Sequence, residues 1–122
     1  MDFIQKLIAL EQTIARDHGD FVLYTVLHRE DAPNRWDLLV AAPWLAADDP
    51  AAVDLIGRYL LGTLTPQEMT LLSRIIVFPI DDPRVQEIRQ RVDQAVRHGH
   101  VEVSQWELAG MPIRHAHVVT ST

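Results

Sequence analysis

The chain has 122 residues, a formal net charge of −6, 48% hydrophobic and 23% charged residues, and no cysteine. That length suits one domain around one core, and the composition is that of a globular chain, not a disordered one. Lack of cysteine excludes disulfides, thiolate metal sites and thiol catalysis, and a pI near 5.4 disfavours generic contact with nucleic acid or anionic membrane.

Residues 2–17 place Ile4, Leu7, Ile8 and Ile14 on one helical face, with Lys6, Glu11 and Arg16 largely elsewhere. His18-Gly19 supplies the stop. The opening residues lack the basic start and unbroken apolar core of a signal peptide, and no apolar run approaches the ~20 residues that span a bilayer. A cytoplasmic location without membrane contact is therefore expected. Phe21–Leu27, rich in β-branched and aromatic residues, reads as the first strand. Turn chemistry at Glu30–Asn34 returns the chain into an antiparallel second strand, Trp36–Ala42.

Asp49 is a natural N-cap, with Pro50 at the position where a missing N–H costs nothing. The helix that follows should present Val53, Ile56, Leu60 and Leu61 to the core and end at Gly62. Thr65-Pro66-Gln67-Glu68 reads as a capping box opening a short helix with Met69, Leu71 and Leu72 on its buried side. Ile75–Phe78 is the third strand, and its continuous apolar character predicts burial on both faces. Asp82 and Pro83 repeat the cap before a last helix with Val85, Ile88, Val92, Ala95 and Val96 inward. Its arginines, Arg84, Arg89, Arg91 and Arg97, lie mostly outward, and His98-Gly99 closes it. Residues 101–106 and 113–120 are the final strands, joined around Ala109-Gly110.

The expected fold is a single α/β (α+β) domain over 1–122, with a mixed five-stranded sheet and the order α-β-β-α-α-β-α-β-β. Strands two, three and four follow one another through helical crossovers and should be parallel, with strands one and five running against them.

One pattern recurs. Leu38–Trp44 runs into Asp48-Asp49-Pro50, and Ile75–Pro79 runs into Asp81-Asp82-Pro83. Each is an apolar run that stops at proline and enters a helix through Asp-Asp-Pro. Both loops should leave the same sheet edge, the usual place for ligands in open α/β sheets. Trp44, Asp48 and Asp81 are accordingly the candidate ligand- or partner-binding residues. Carboxylates gathered there could hold magnesium and support chemistry on a phosphorylated small molecule or a nucleic-acid end. Capping accounts for Asp before Pro without any ion, and neither G-x-G-x-x-G nor G-x-x-x-x-G-K-[ST] occurs.

His115 and His117, one residue apart, project from one face of the last strand. A two-residue turn at Ala109-Gly110 would set Glu102 opposite His117 and Ser104 opposite His115, a possible metal or proton-transfer group. A three-residue turn with Gly110 left-handed suits the sequence better, because alanine is poor as the first residue of a two-residue hairpin. It would place both histidines on a face shared with Val101, Val103, Ile113 and Val119, binding no metal. No serine sits in a nucleophile elbow. Hence no catalytic residue, metal or cofactor is assigned.

Arg35–Leu45, Leu72-Ser73-Arg74-Ile75, Asp81-Asp82-Pro83 and the ending Val118-Val119-Thr120-Ser121 together resemble a signature of small uncharacterised prokaryotic α/β proteins. The resemblance implies one compact domain and carries over no catalytic residues. The functional expectation is binding of a protein partner or self-association as a homodimer, with nucleic acid disfavoured. The alternative is a divalent-metal enzyme working at the acidic loops.

Overall fold

The computed structural model describes residues 2–31, 35–91, 101–108 and 111–121. Its elements are α1 (Phe3–His18), β1 (Leu23–Arg29), β2 (Trp36–Ala41), α2 (Pro50–Thr63), α3 (Pro66–Met69), β3 (Leu72–Val77), α4 (Pro83–Arg91), β4 (Val101–Leu108) and β5 (Met111–Ser121). This is the mixed α/β fold expected from the patterning.

Helix ends follow local chemistry. The Asp49 carboxylate accepts from the Ala51 N–H at 2.9 Å, and Asp82 accepts from the Arg84 N–H at 2.8 Å. Thr65 and Glu68 cap each other's backbone N–H reciprocally, as the capping box requires. Asp2 and Gln5 do the same at the start of α1. Gly19 ends α1 at φ +122°, a conformation that side-chain-bearing residues rarely adopt. α2 runs one residue past Gly62 and is closed by the Leu64 N–H on the Leu60 carbonyl.

The strands lie in the order β3-β2-β1-β5-β4. β1 is antiparallel to both β2 and β5, β2 is parallel to β3, and β4 is antiparallel to β5. The expectation that β4 runs parallel to β2 and β3 is therefore wrong, as is the expected direction of β5. β5 lies beside β1 and antiparallel to it, and the short hairpin turns β4 against β5. The crossover through α4 ends at the far edge of the sheet, where no parallel neighbour awaits.

Alternation along the strands divides the apolar side chains into two cores. On one face Tyr24, Val26, Leu38, Val40 and Val119 pack beneath Leu7, Leu10 and Ile14 of α1 and Ile56 and Leu60 of α2. On the other Leu23, Leu27, Leu39, Ala116 and Val118 meet Val85 and Ile88 of α4. The molecule is thus layered helix, sheet, helix. Val92, Ala95, Val96 and the His98-Gly99 stop lie outside the described residues.

Three burial expectations fail. Glu11, placed away from the core by helical spacing, is fully buried. Val53 and Leu61 are 39% and 68% exposed, because Ala52, Ile56 and Leu60 form the inward stripe of α2. β3 is an edge strand with five of its six residues half-buried and Arg74 exposed, so it is not buried on both faces.

Candidate functional site

Asp48 and Asp81 do meet. They line one open groove of about 650 Å³ at the carboxyl ends of β2 and β3, together with Pro43, Leu45, Pro79 and Ile80. Both aspartates are exposed. Trp44 is not in that groove. Its ring stacks on His18 with centroids 5.2 Å apart and packs on Phe21 at 5.1 Å, while its Nε1 donates to the Asp20 carbonyl at 3.1 Å. Trp44 therefore caps the end of α1, and Gly19 is small because a Cβ there would stand 3.2 Å from the Trp44 ring. Asp49 and Asp82 are occupied as caps. The Arg84 guanidinium also holds both Asp82 oxygens at 3.0 Å, which pulls that carboxyl below its ordinary pKa, and lies 4.4 Å over the Phe78 ring.

The hairpin register corrects a second expectation. Glu102 pairs with His117, Ser104 with His115 and Leu108 with Met111, so two residues connect the strands. Val101 and Val103 stand opposite Val118 and Ala116 instead of the histidines. Ile113 belongs to the opposite core, because the β1–β5 register shifts between His28 and Arg29. Residues 109–110, and with them any left-handed Gly110, lie outside the described residues. The histidine face is aromatic: Trp36 stands 4.9 Å from His28 and 5.6 Å from His117, and His115 and His117 are 4.8 Å apart, ring to ring. The buried His28 Nε2 has no hydrogen-bond partner among the described residues. Among those residues no three metal-ligating side chains converge.

At the other end of this sheet region, Asp37 is 2% exposed and holds Arg29 Nε at 3.1 Å and Arg74 Nη2 at 2.7 Å. One carboxylate thus ties β1, β2 and β3 together across the sheet.

The feature missed by sequence reasoning is the side of β3 that, among the described residues, pairs with no other strand. The Phe78 N–H donates to the Val40 carbonyl at 2.9 Å, and Val40 is aligned with Val77. By alternation Arg74 and Ile76 also direct their backbone groups to β2, which leaves the N–H and C=O of Ile75 and Val77 on the open edge. Side chains above and below this edge are apolar: Ile75 and Val77 join one core, Ile76 the other. An unpaired apolar edge is a template for another strand, and chains that avoid pairing blunt it with proline, a charge or a bulge. Between Ile75 and Val77, β3 has none of these. The available signal was the run Ile75-Ile76-Val77 itself, too apolar for a solvated edge, but strand order could not be read from the chain.

No family model, curated protein or solved structure matches the chain. Among the described residues no helix is long and apolar enough to cross a membrane.

Proposed function

We propose that this domain works by binding protein, taking up an added strand along β3. The observation that carries the reading is the mismatch between a run with interior-strand composition and its half-buried position at the sheet edge. Strand addition satisfies the outward groups of Ile75 and Val77 through main-chain hydrogen bonds and covers the flanking apolar side chains. Val53 and Leu61 extend the same surface into the helical layer. Arg58, Tyr59 and Gly62 of α2 face α1 across a shared cleft, and helical geometry turns Val53 and Leu61 away from it. α2 contacts β3 on this flank of the sheet, whereas α1 lies over β1. Residue-independent photo-cross-linking with mass spectrometry on a native complex tests the reading, because the chain's one lysine, Lys6, lies outside β3 and α2. Cross-links should fall on β3 and α2 and disappear with Leu61→Glu, a change at an exposed position that leaves the fold intact. A complex whose cross-links avoid both elements and which tolerates that change would falsify it.

A second reading draws on the meeting of Asp48 and Asp81 in one groove. It is a divalent-metal enzyme acting there on a phosphorylated molecule or a nucleic-acid end. Calorimetric titration with magnesium or manganese distinguishes it. Absence of saturable binding at millimolar metal, in the native chain as in Asp48→Asn and Asp81→Asn, removes it.

A further inference from the structure

The β3 edge is electrically polarised along its length. Arg74 stands near its start, aligned with Asp37 of β2, and Arg35 precedes Trp36, which opens β2 opposite Leu72. Asp81 and Asp82 follow its finish, and Asp48 lines the same groove as Asp81. Six residues of strand span about 20 Å, so the two ends are well separated on the scale of ionic screening. A partner strand that suits this edge is basic where β3 is acidic and acidic where β3 is basic, with an apolar middle. An antiparallel copy of β3 has that pattern.

We infer that the occupant of the edge is a second copy of this chain, joined β3 to β3 antiparallel about a two-fold axis through Ile76. The inference rests on the strand-addition reading above and goes beyond it by naming the partner. With Ile76 opposite its own copy, Ile75 of one chain faces Val77 of the other. These are the residues whose N–H and C=O are outward, so each such pair exchanges two hydrogen bonds. Arg74 of each copy is carried toward Asp81 and Asp82 of the other, and the symmetry makes the contact twice. The internal partners of these charges remain in place: Asp37 for Arg74 and Arg84 for Asp82. A stable dimer buries on the order of 1,200 Å² or more in total, beyond what a strand edge supplies. The α2 flank must therefore close as well. Val53 and Leu61 are two turns apart there with Gly57 between them, and a Cβ on Gly57 would meet nothing within 4 Å in its own chain.

The chain has no cysteine, so an introduced thiol reports its own neighbours without background. Ile76→Cys places two thiols on the axis, opposite one another in a non-hydrogen-bonded pair whose close Cα spacing accepts a disulfide. Mild oxidation should convert this variant to a covalent dimer, while Gln86→Cys, at an exposed position of α4, forms no covalent dimer under the same conditions. Light scattering over a concentration series should show a dimer that Val77→Pro weakens about tenfold or more, because proline removes an outward N–H that the chain's own sheet does not use. Should the proline variant fail to fold, Leu61→Glu, at an exposed site, gives the same reading. A strict monomer at millimolar concentration overturns the two-fold pairing. So does a dimer that ignores Val77→Pro and Leu61→Glu and leaves the residue-76 thiols apart. In either case, cross-links from a different protein onto β3 and α2 would still uphold strand addition, so the two ideas fail separately.

Discussion

Asp37 and Gly19 are the residues at which single atoms decide most. Asp37 is buried on the sheet, and the guanidinium groups of Arg29 and Arg74 close over its Oδ2 from the strands on either side. Asp37→Ala leaves those groups facing one another with only the exposed Asp31 carboxylate, 3.6 Å from Arg29 Nη1, to offset them. Loss of one partner in a fully buried pair costs about 3–5 kcal/mol, but Arg74 is 44% exposed and water reaches it. We expect about 2 kcal/mol, read as a lower urea midpoint with unchanged slope. Gly19 sits at φ +122° and ψ 169°, a region almost reserved for glycine, and its missing Cβ makes room for Trp44. Gly19→Ala should cost about 1–3 kcal/mol. Its signature is a changed tryptophan fluorescence, because the ring stacked on His18 must give way. An unchanged midpoint and spectrum would show that the turn relaxes freely.

Helices were legible because their signals are local. Asp49-Pro50, Thr65–Glu68, Asp82-Pro83 and His18-Gly19 each specify a terminus within four residues, and the structure places a terminus at or beside every one. Sheet order was not legible, since pairing joins residues far apart in the chain and depends on which strand takes the place beside β1. The hairpin register failed for a related reason: turn propensity favoured a three-residue connection, and the pairing of two long strands overrode it. Of the candidate binding residues, Asp48 and Asp81 were brought together because both follow parallel strands; Trp44 turned away because His18 and Phe21 offered it an apolar stack. Glu11 shows the limit of helical periodicity, which assigns a carboxylate to the outside by composition alone. The short helix α3 has a pH signature of its own. Its Glu68 carboxylate accepts from Lys6 Nζ at 2.7 Å and from the Thr65 N–H at 2.9 Å, and these bonds, the lysine's first, hold its pKa below the ordinary carboxylate value. A depressed carboxylate contributes stability above its unfolded pKa and loses it as pH falls through the folded value. Glu68→Gln should therefore be less stable than the native chain at neutral pH, with the difference closing in the acid range below about pH 4. A constant difference from pH 7 to pH 2 would mean that the carboxylate's charge is not what links α3 to α1.

At the scale of the whole molecule, the layers are unequally finished. Both faces of the sheet carry helices, yet the β3 edge and the adjoining flank of α2 leave Val53, Leu61 and the β3 residues partly in water. Pairing β3 with a second copy makes folding and association one linked equilibrium, because only the folded edge can pair. The melting temperature should then rise with protein concentration, on the order of 2–4 °C for each tenfold increase in a domain of this size. Val77→Pro should move the onset of that dependence to concentrations about tenfold higher or more, so that the variant melts at one temperature over the range where the native chain still shifts. Salt adds a second constraint. Screening weakens the contact between Arg74 and the acidic loop of the other copy, while the apolar and main-chain contributions persist. Raising ionic strength should therefore reduce the concentration dependence without removing it. A melting temperature independent of concentration in the native chain, across the range where light scattering is also flat, excludes the linked dimer and leaves the edge to a different protein.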